Sequence, residues 1–491
     1  MTTPSPRQPA RPHVILIMCD QWRPDCLGVL GHPLVRTPHL DALAARGVLF
    51  ENAYCASPVC SPARASWLTG LYPHAHGQYV NYGEKAGFPC ELRPECVTLG
   101  DSFKSAGYRC GIVGPWHLGH DHVPQHGFEE SWLTCNYQGP GRPDRLKEYF
   151  AAAGVPNLYD KSVRRGMKLP STAEKMVYTV LSDPRQQRTT WTVDRGCEFV
   201  AAAAADPRPF FLFLSVKDPH PPVVAPPELL ALYPRERMPR PEPWANPDGT
   251  LPAYHERARE RLPADVSSEN FQDLVAHYFA VLTHIDREVG RLVAALERAG
   301  LRDDTVIAFI SDHGEMLGAK GFVGKRRFYE PAVRVPCIVS WPRGVPGGRR
   351  VRTPLGGVDL APTLLGLAGV PAPERIDGRN LAPALRAGRE PLAAAVFAEL
   401  ATQEVHFGQT PDRAGLGGHV MVRHEDWKYI WSRFDRDELY HLPDDPDERR
   451  NLAADPGQSR RLRELRELIR AMLRHTGPGV YQWCVDRADQ G

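Results

Sequence analysis

The chain has 491 residues, 42% hydrophobic and 24% charged, long enough for one large globular domain plus a smaller one. Sixty Lys and Arg against 58 Asp and Glu leave a formal charge of +2. That excludes a global basic field for nucleic acid or a membrane surface, and no run approaches the ~18 apolar residues of a membrane span.

Residues 1–12 are polar and proline-rich and are expected to form a disordered extension. Val14–Met18 is too short for a signal h-region and has no small-residue cleavage site behind it, so a cytoplasmic location is expected. The eleven cysteines fit that expectation: their number is odd, their spacing irregular, and no Cys-x-x-Cys pair occurs. His13–Cys19 reads as a buried strand that stops at Asp20. A helix follows from about Pro38 to Arg46, then a loop that reaches Cys60. Pro62–Thr69 reads as a helix with proline in its first turn, where a missing N–H costs nothing. Tyr108–Val113 is a strand ending at Gly114-Pro115, and the helix Trp191–Ala204 leads into the apolar strand Pro209–Val216. Residues 217–265 are proline-rich loop. Phe271–Ala299 is a long helix with a period near 3.6, and Thr305–Ile310 is a buried strand that stops at Ser311-Asp312-His313-Gly314. Apolar runs without alternation, interleaved with helices, predict an α/β domain over 13–370. It is built on a large, mostly parallel sheet flanked by helices.

The pattern changes after Val370. Pro371–Pro391 is loop-like, Ala395–Leu400, Val420–Arg423 and Lys428–Trp431 read as short strands, and a polar helix runs from about Gln458 to Leu473. Residues 371–491 are therefore expected to form a smaller C-terminal α+β subdomain with a small antiparallel sheet and a helix.

In open α/β sheets, ligands bind outside the carboxyl ends of the strands. Asp20 stands at one such end, and Asp312 with His313 at another. A strand-end aspartate alone is more often a turn cap. Two of them on separate buried strands, one beside an imidazole, favour a shared divalent cation. Cys60-Ser61-Pro62-Ala63-Arg64 is the sharpest local signal. A cysteine just before a helix start lies in positive potential, which favours a thiolate or a bound oxyanion. Arg64, four residues on, shares its helical face. Cysteine phosphatases need Cys-x5-Arg and are excluded, because Ser66 stands six positions after Cys60 and Ser61 six after Cys55.

Cys-x-Pro-x-Arg followed by Ala65-Ser66-Trp67-Leu68-Thr69-Gly70 resembles the signature of the sulfatase family, within the alkaline-phosphatase-like superfamily. The resemblance continues in order through Asp20, Arg36-Thr37-Pro38-His39-Leu40-Asp41, Gly114-Pro115-Trp116-His117-Leu118-Gly119 and Pro219-His220. Ser311-Asp312-His313-Gly314-Glu315 follows, then Lys325 ahead of Tyr329-Glu330, then Val333-Arg334-Val335-Pro336. Asp437-Glu438-Leu439-Tyr440, Asp445-Pro446 and Asn451-Leu452 resemble the family's tail. The resemblance implies an alkaline-phosphatase-like fold. It implies that Cys60 is converted by a formylglycine-generating enzyme to formylglycine, whose hydrate is the nucleophile. Asp20, Asp312, His313 and the modified residue 60 would then hold one divalent metal, with Ca²⁺ and Mn²⁺ both open. Arg64 would stabilise the hydrate, His117 would assist the later elimination, and His220 and Lys325 would grip the sulfuryl and leaving oxygens. Asn81 matches a polar position used by the family's cytosolic branch.

Three departures stand out. Asp20-Gln21 replaces the Asp-Asp of many sulfatases, and Asp312-His313 replaces Asp with Asn. With Trp22-Arg23, both resemble the branch of choline-sulfatase-like enzymes and phosphonate monoester hydrolases. Pro115 stands where the family usually has a lysine, so that segment lacks a cation, for which Lys217 or one of the many arginines is a candidate replacement. The implied reaction is hydrolysis of a small-molecule sulfate monoester. The alternative is phosphonate monoester or phosphodiester hydrolysis on the same scaffold. A chemically dead binding protein would lack Cys60, Arg64 or a metal ligand, and none is missing.

His117, His120, His122 and His126 read as a solvated loop rather than a second metal site, apart from His117. His74 and His76 read as turn residues, Glu315 as support for the metal motif or a helix start, and Arg460–Arg470 as a solvated helix face. Trp431, Tyr481 and Trp483 are either core or contacts of a homo-oligomer. The organic part of the substrate would be met by loops at 80–100, 120–175 and 220–265.

Overall fold

Every residue of β1 (His13–Asp20) is buried, and its side chains alternate between two cores. Leu16 and Met18 join Trp67, Phe213 and Ile310 on one face, while Ile15 and Ile17 join Leu212, Ile285 and Phe309 on the other. A strand covered on both faces has no polar side to show, which is why the sequence runs apolar without alternation. The computed structural model describes residues 11–81, 91–120, 125–134, 144–157, 177–179, 187–240, 268–401, 418–433 and 435–487.

The remaining strands of the large sheet are β2 (Val48–Tyr54), β3 (Arg109–Gly114), β4 (Glu130–Leu133), β6 (Phe210–Pro219), β8 (Thr305–Ser311), β9 (Arg334–Ser340), β10 (Arg349–Val351) and β11 (Leu355–Gly356). β5 (Val177–Thr179) and β7 (Val223–Ala225) pair separately. The large sheet has the order β10-β2-β9-β8-β1-β6-β3-β4, with β11 beside β2. β9 runs antiparallel to β2 and β8, and the other pairs are parallel. Helices Arg188–Ala203 and Ser268–Arg298 cover one face. Helices Cys60–Thr69 and Leu360–Ala368 cover the other.

A second sheet, β12 (Val396–Leu400), β13 (His419–His424), β14 (Trp427–Ser432) and β15 (Glu438–His441), is antiparallel in sequential order. Its core against helix Ser459–Thr476 is made by Val420, Tyr429, Trp431, Leu465, Ile469 and Tyr481. Trp431 and Tyr481 are therefore core residues, and Trp483 packs edge-on against Trp431 at 5.4 Å between ring centres.

Several expectations need correction. The loop expected before Cys60 contains β2, whose apolar run is interrupted at Glu51-Asn52, where its register with β9 shifts. The stretch 217–240 carries β7 and the short helix Pro227–Leu230, and 241–267 lies outside the described residues. Pro371–Pro391 contains the short helix Ala382–Arg386. The run Arg460–Arg470 is solvated only in part: Arg466 bonds Asp437, and buried Arg470 donates to Cys484 O and Arg487 O. Of the N-terminal extension, residues 1–10 lie outside the described residues. Arg11 donates to Ala106 O, and Pro12 O accepts from the Tyr108 hydroxyl.

Candidate active site

The site is built from the ends of β1, β6 and β8, the start of helix Cys60–Thr69, the segment Gly114–Gly119 and the loop that carries Lys325. Cys60 is the first residue of that helix, after the extended Val59, and it is wholly buried. One free N–H of the helix start, that of Ser61, is satisfied by Asn81 Oδ1 at 3.1 Å. The Ser61 hydroxyl donates to His117 O at 2.6 Å, which ties the Gly114–Gly119 segment to the same helix. Asn81 therefore meets the helix start, a role its sequence position did not reveal.

The donor atoms of Asp20, Cys60, Asp312 and His313 all lie within 4.8 Å of one another. Cys60 Sγ is 3.6 Å from Asp20 Oδ1 and 3.3 Å from His313 Nε2. Nδ1 of His313 lies 2.9 Å from Gly314 O, which can only accept, so Nδ1 carries the proton and Nε2 turns its lone pair to the cluster. Asp312 Oδ1 accepts from the backbone N–H groups of Gln21 at 3.1 Å and His313 at 2.8 Å. Two carboxylates and a neutral imidazole are a donor set suited to a divalent cation.

Three cations press on these groups. Lys325 Nζ lies 2.6 Å from Cys60 Sγ and 3.8 Å from Asp20 Oδ1. Arg64 is fully buried and bridges the carboxylates, with Nε 3.0 Å from Asp312 Oδ2 and Nη2 3.4 Å from Asp20 Oδ2. Its Nη1 donates to Ser215 Oγ at 2.7 Å. Every hydrogen bond recorded for Arg64 goes to carboxylate, hydroxyl or carbonyl oxygen, so in this structure it braces the acidic pair. The third cation, Lys217, brings Nζ to 2.9 Å from Asp20 Oδ2.

Burial alone would raise the Asp20 carboxyl, but Lys217, His220, Lys325 and Arg64 hold it well below the usual carboxylate range. Asp312 is pushed up to about 7 by burial and by the charge of Asp20. Burial and Asp20 also push the Cys60 thiol up to about 11, against the pull of Lys325. The thiolate expected from the helix start alone is thus overturned: desolvation and two carboxylates outweigh the dipole. His117, His220 and His313 are all held well below their ordinary value, chiefly by burial and then by the lysines.

His117 is buried at a positive φ of 61° within the Gly114–Gly119 segment. His220 follows β6, and its Nδ1 lies 2.7 Å from Pro221 O. Glu315 takes the supporting role: it accepts from Gln21 Nε2, from the Gly324 N–H and, at 2.9 Å, from the Leu317 N–H. His74 and His76 lie on one short helix, Pro73–His76, and are buried rather than solvent-facing turn residues. His120 and His126 pair with Glu91 and Asp101, and His122 lies outside the described residues.

A family model described as Sulfatase matches residues 12–370, and one described as N-sulphoglucosamine sulphohydrolase, C-terminal, matches 318–475. A choline-sulfatase of Rhizobium meliloti strain 1021 is 29% identical over 472 residues, spanning 91% of this chain and 83% of its own. An arylsulfatase of Clostridium perfringens strain 13 is 28% identical over 488 residues, spanning 94% of each chain. The crystal structure of a phosphonate monoester hydrolase of Agrobacterium radiobacter superposes with a TM-score of 0.81 at 25% identity, over 95% of this chain and 96% of that one. With the family model matched along most of its length, this chain belongs to the sulfatase family.

Proposed function

We propose that this chain hydrolyses a sulfate monoester, with residue 60 as the nucleophile and one divalent cation held by Asp20, Asp312, His313 and residue 60. The observation that carries the reading is the convergence of Asp20, Cys60, Asp312 and His313 donors within 4.8 Å at the start of a helix. Conversion of Cys60 by a formylglycine-generating enzyme supplies an aldehyde hydrate, and with it an attacking hydroxyl that a buried thiol does not offer. A divalent cation, Ca²⁺ or Mn²⁺, supplies charge that offsets oxyanions and acidifies a hydroxyl. Lys325 and His220 hold the sulfuryl and leaving oxygens, and Arg64 bridges and orients the two carboxylates. His117, kept uncharged by burial, takes the proton whose loss releases sulfate and restores the aldehyde. Asn81 fixes the helix start on which residue 60 sits.

We place the catalytic unit at 13–370 and a C-terminal subdomain at 371–491, in a cytoplasmic enzyme. Among the described residues nine cysteines are free thiols, which suits a reducing compartment, and no helix is long and apolar enough to cross a membrane. A second reading, hydrolysis of a phosphonate monoester or phosphodiester, is favoured by Gln21 beside Asp20, by His313, and by the likeness to the phosphonate monoester hydrolase. The deciding experiment is a panel of aryl sulfate, alkyl sulfate, phosphonate monoester and phosphodiester, run with defined metals. The sulfatase reading expects the highest kcat/KM on a sulfate ester, and a phosphorus ester at the top would replace it.

A further inference from the structure

Of the three cations at the site, Lys217 is the one without an assigned role. Strand alternation decides which β6 side chains enter the site. Ser215 Oγ meets Arg64, and Lys217, two residues on, shares that face and reaches Asp20 with its side chain only 11% exposed. Asp218 points away and is held by Arg188 and Thr189.

The two oxygens of Asp20 divide their surroundings. Oδ1 faces Cys60, His313 and Lys325, whereas Oδ2 faces Arg64 and Lys217. Lys217 thus approaches the carboxylate from the side opposite Lys325. It is also the foremost charge acting on both His117 and His220. Its charge therefore bears on Asp20 and on the two histidines expected to handle the departing groups.

Strand pairing brings the end of β6 to the Gly114–Gly119 segment. β3 and β6 run parallel with Val113 opposite Leu214. Pro115 O accepts from Ser215 Oγ at 2.8 Å and from Arg64 Nη1 at 3.3 Å. A Cβ on Gly114 would lie 1.9 Å from Ser215 O, so the two strand ends are in close contact. Side chains from positions 115 and 217 start from adjoining strand ends, and Pro115 offers no charge.

We propose that Lys217 is a further catalytic residue: its ammonium holds an oxygen of the substrate's sulfuryl group beside Asp20, as the cation that Pro115 cannot supply. This rests on the reading of the site given above. Lys217 forms no covalent bond and transfers no group; it contributes charge where the transition state gathers negative charge.

The test compares wild type, Lys217→Met, Lys217→Arg and the double variant Pro115→Lys/Lys217→Met. Each is assayed for kcat/KM on an aryl sulfate and a matched aryl phosphonate, inhibition by inorganic sulfate, metal content and melting temperature. Lys217→Met is expected to lower kcat/KM at least about tenfold, equivalent to about 1.4 kcal/mol, and to weaken sulfate inhibition similarly while metal content holds. Lys217→Arg, and Pro115→Lys in the Met background, are each expected to recover part of the loss. Unchanged kcat/KM and sulfate inhibition in Lys217→Met would overturn the assignment. So would a loss that neither rescue relieves, or one that tracks metal content, since Lys217 would then serve only the fold or Asp20. If wild type turns over only the phosphonate, the sulfatase reading fails, and the same variants on phosphonate still decide Lys217.

Discussion

Cys60 gathers more neighbours than its sequence position foretells. A thiol with a pKa near 11, between Asp20, His313 and Lys325, is mostly uncharged at neutral pH. Peptide mass analysis of protein made with a formylglycine-generating enzyme is expected to show aldehyde in place of thiol at Cys60. Cys60→Ala is expected to lose at least about a thousandfold in kcat, as removal of a nucleophile does elsewhere; activity at the wild-type level would remove residue 60 from the chemistry. Asp312 is held by two backbone N–H groups and by Arg64, and His313 Nε2 lies 3.5 Å away across the cluster. Asp312→Ala is expected to lose bound metal and activity together, checked by elemental analysis of the purified variant. Full metal occupancy in that variant would take Asp312 out of the cation site.

At the scale of elements, helix Cys60–Thr69 is set by its two ends. Val59 offers no side-chain cap, so Asn81 Oδ1 supplies an acceptor from a distant loop. Gly70 closes the other end at φ 70°, and Ile376 lies 2.7 Å from where its Cβ would be, so a side chain there meets both strain and a clash. Asn81→Ala is expected to lower stability by about 1 kcal/mol, the usual worth of a cap, read as a lower melting temperature. It is also expected to lower kcat more than it raises KM, because the helix start carries residue 60. Unchanged kcat at an unchanged melting temperature would show that Asn81 does not hold the helix.

Across the whole molecule, the second sheet is tied to the first by buried polar contacts near the site. Lys428 of β14 donates to Phe328 O at 2.6 Å, and to Glu330 Oε1 at 3.0 Å, just beyond Lys325. Nε2 of His74 lies 2.8 Å from Thr476 Oγ1, and its Nδ1 pairs with Glu399 of β12. Burial pulls the His74 imidazole down, but Glu399 prevails and raises it above its ordinary 6.5. A raised histidine adds stability that is fully present below the unfolded value and is lost as pH rises through the higher folded value. Glu399→Gln is therefore expected to cost about 1–3 kcal/mol at pH below about 6.5, with the cost shrinking as the pH is raised above that. Melting temperatures of both proteins across that range check it, and a difference that grows with pH would be the wrong sign.

The convergence of Asp20, Cys60, Asp312 and His313 was legible in the sequence because these residues stand where apolar strands stop or a helix starts. Asp20 ends an eight-residue buried strand and Asp312 follows a seven-residue one, neither with the alternation of a solvent-facing strand, and Cys60 and Arg64 lie one helical turn apart. The two-layer α/β plan was legible for the same reason, since uninterrupted apolar strands must be covered on both faces. What depends on pairing between distant segments was not. β2 hid behind the Glu51-Asn52 interruption, because its partners at 334–340 and 349–356 lie about 300 residues away in the chain. That Arg64 also bridges the two carboxylates was not legible, because it follows from the meeting of the β1 and β8 ends. Lys217 and the arginines were alternatives for the missing cation in the sequence, and it is the parallel pairing of β1 and β6 that sets Lys217 beside Asp20. Local spacing reports which chemistry a residue can do, whereas burial and the fields of distant charges decide which neighbour it meets and whether it is ionised. Those are properties of the folded chain alone.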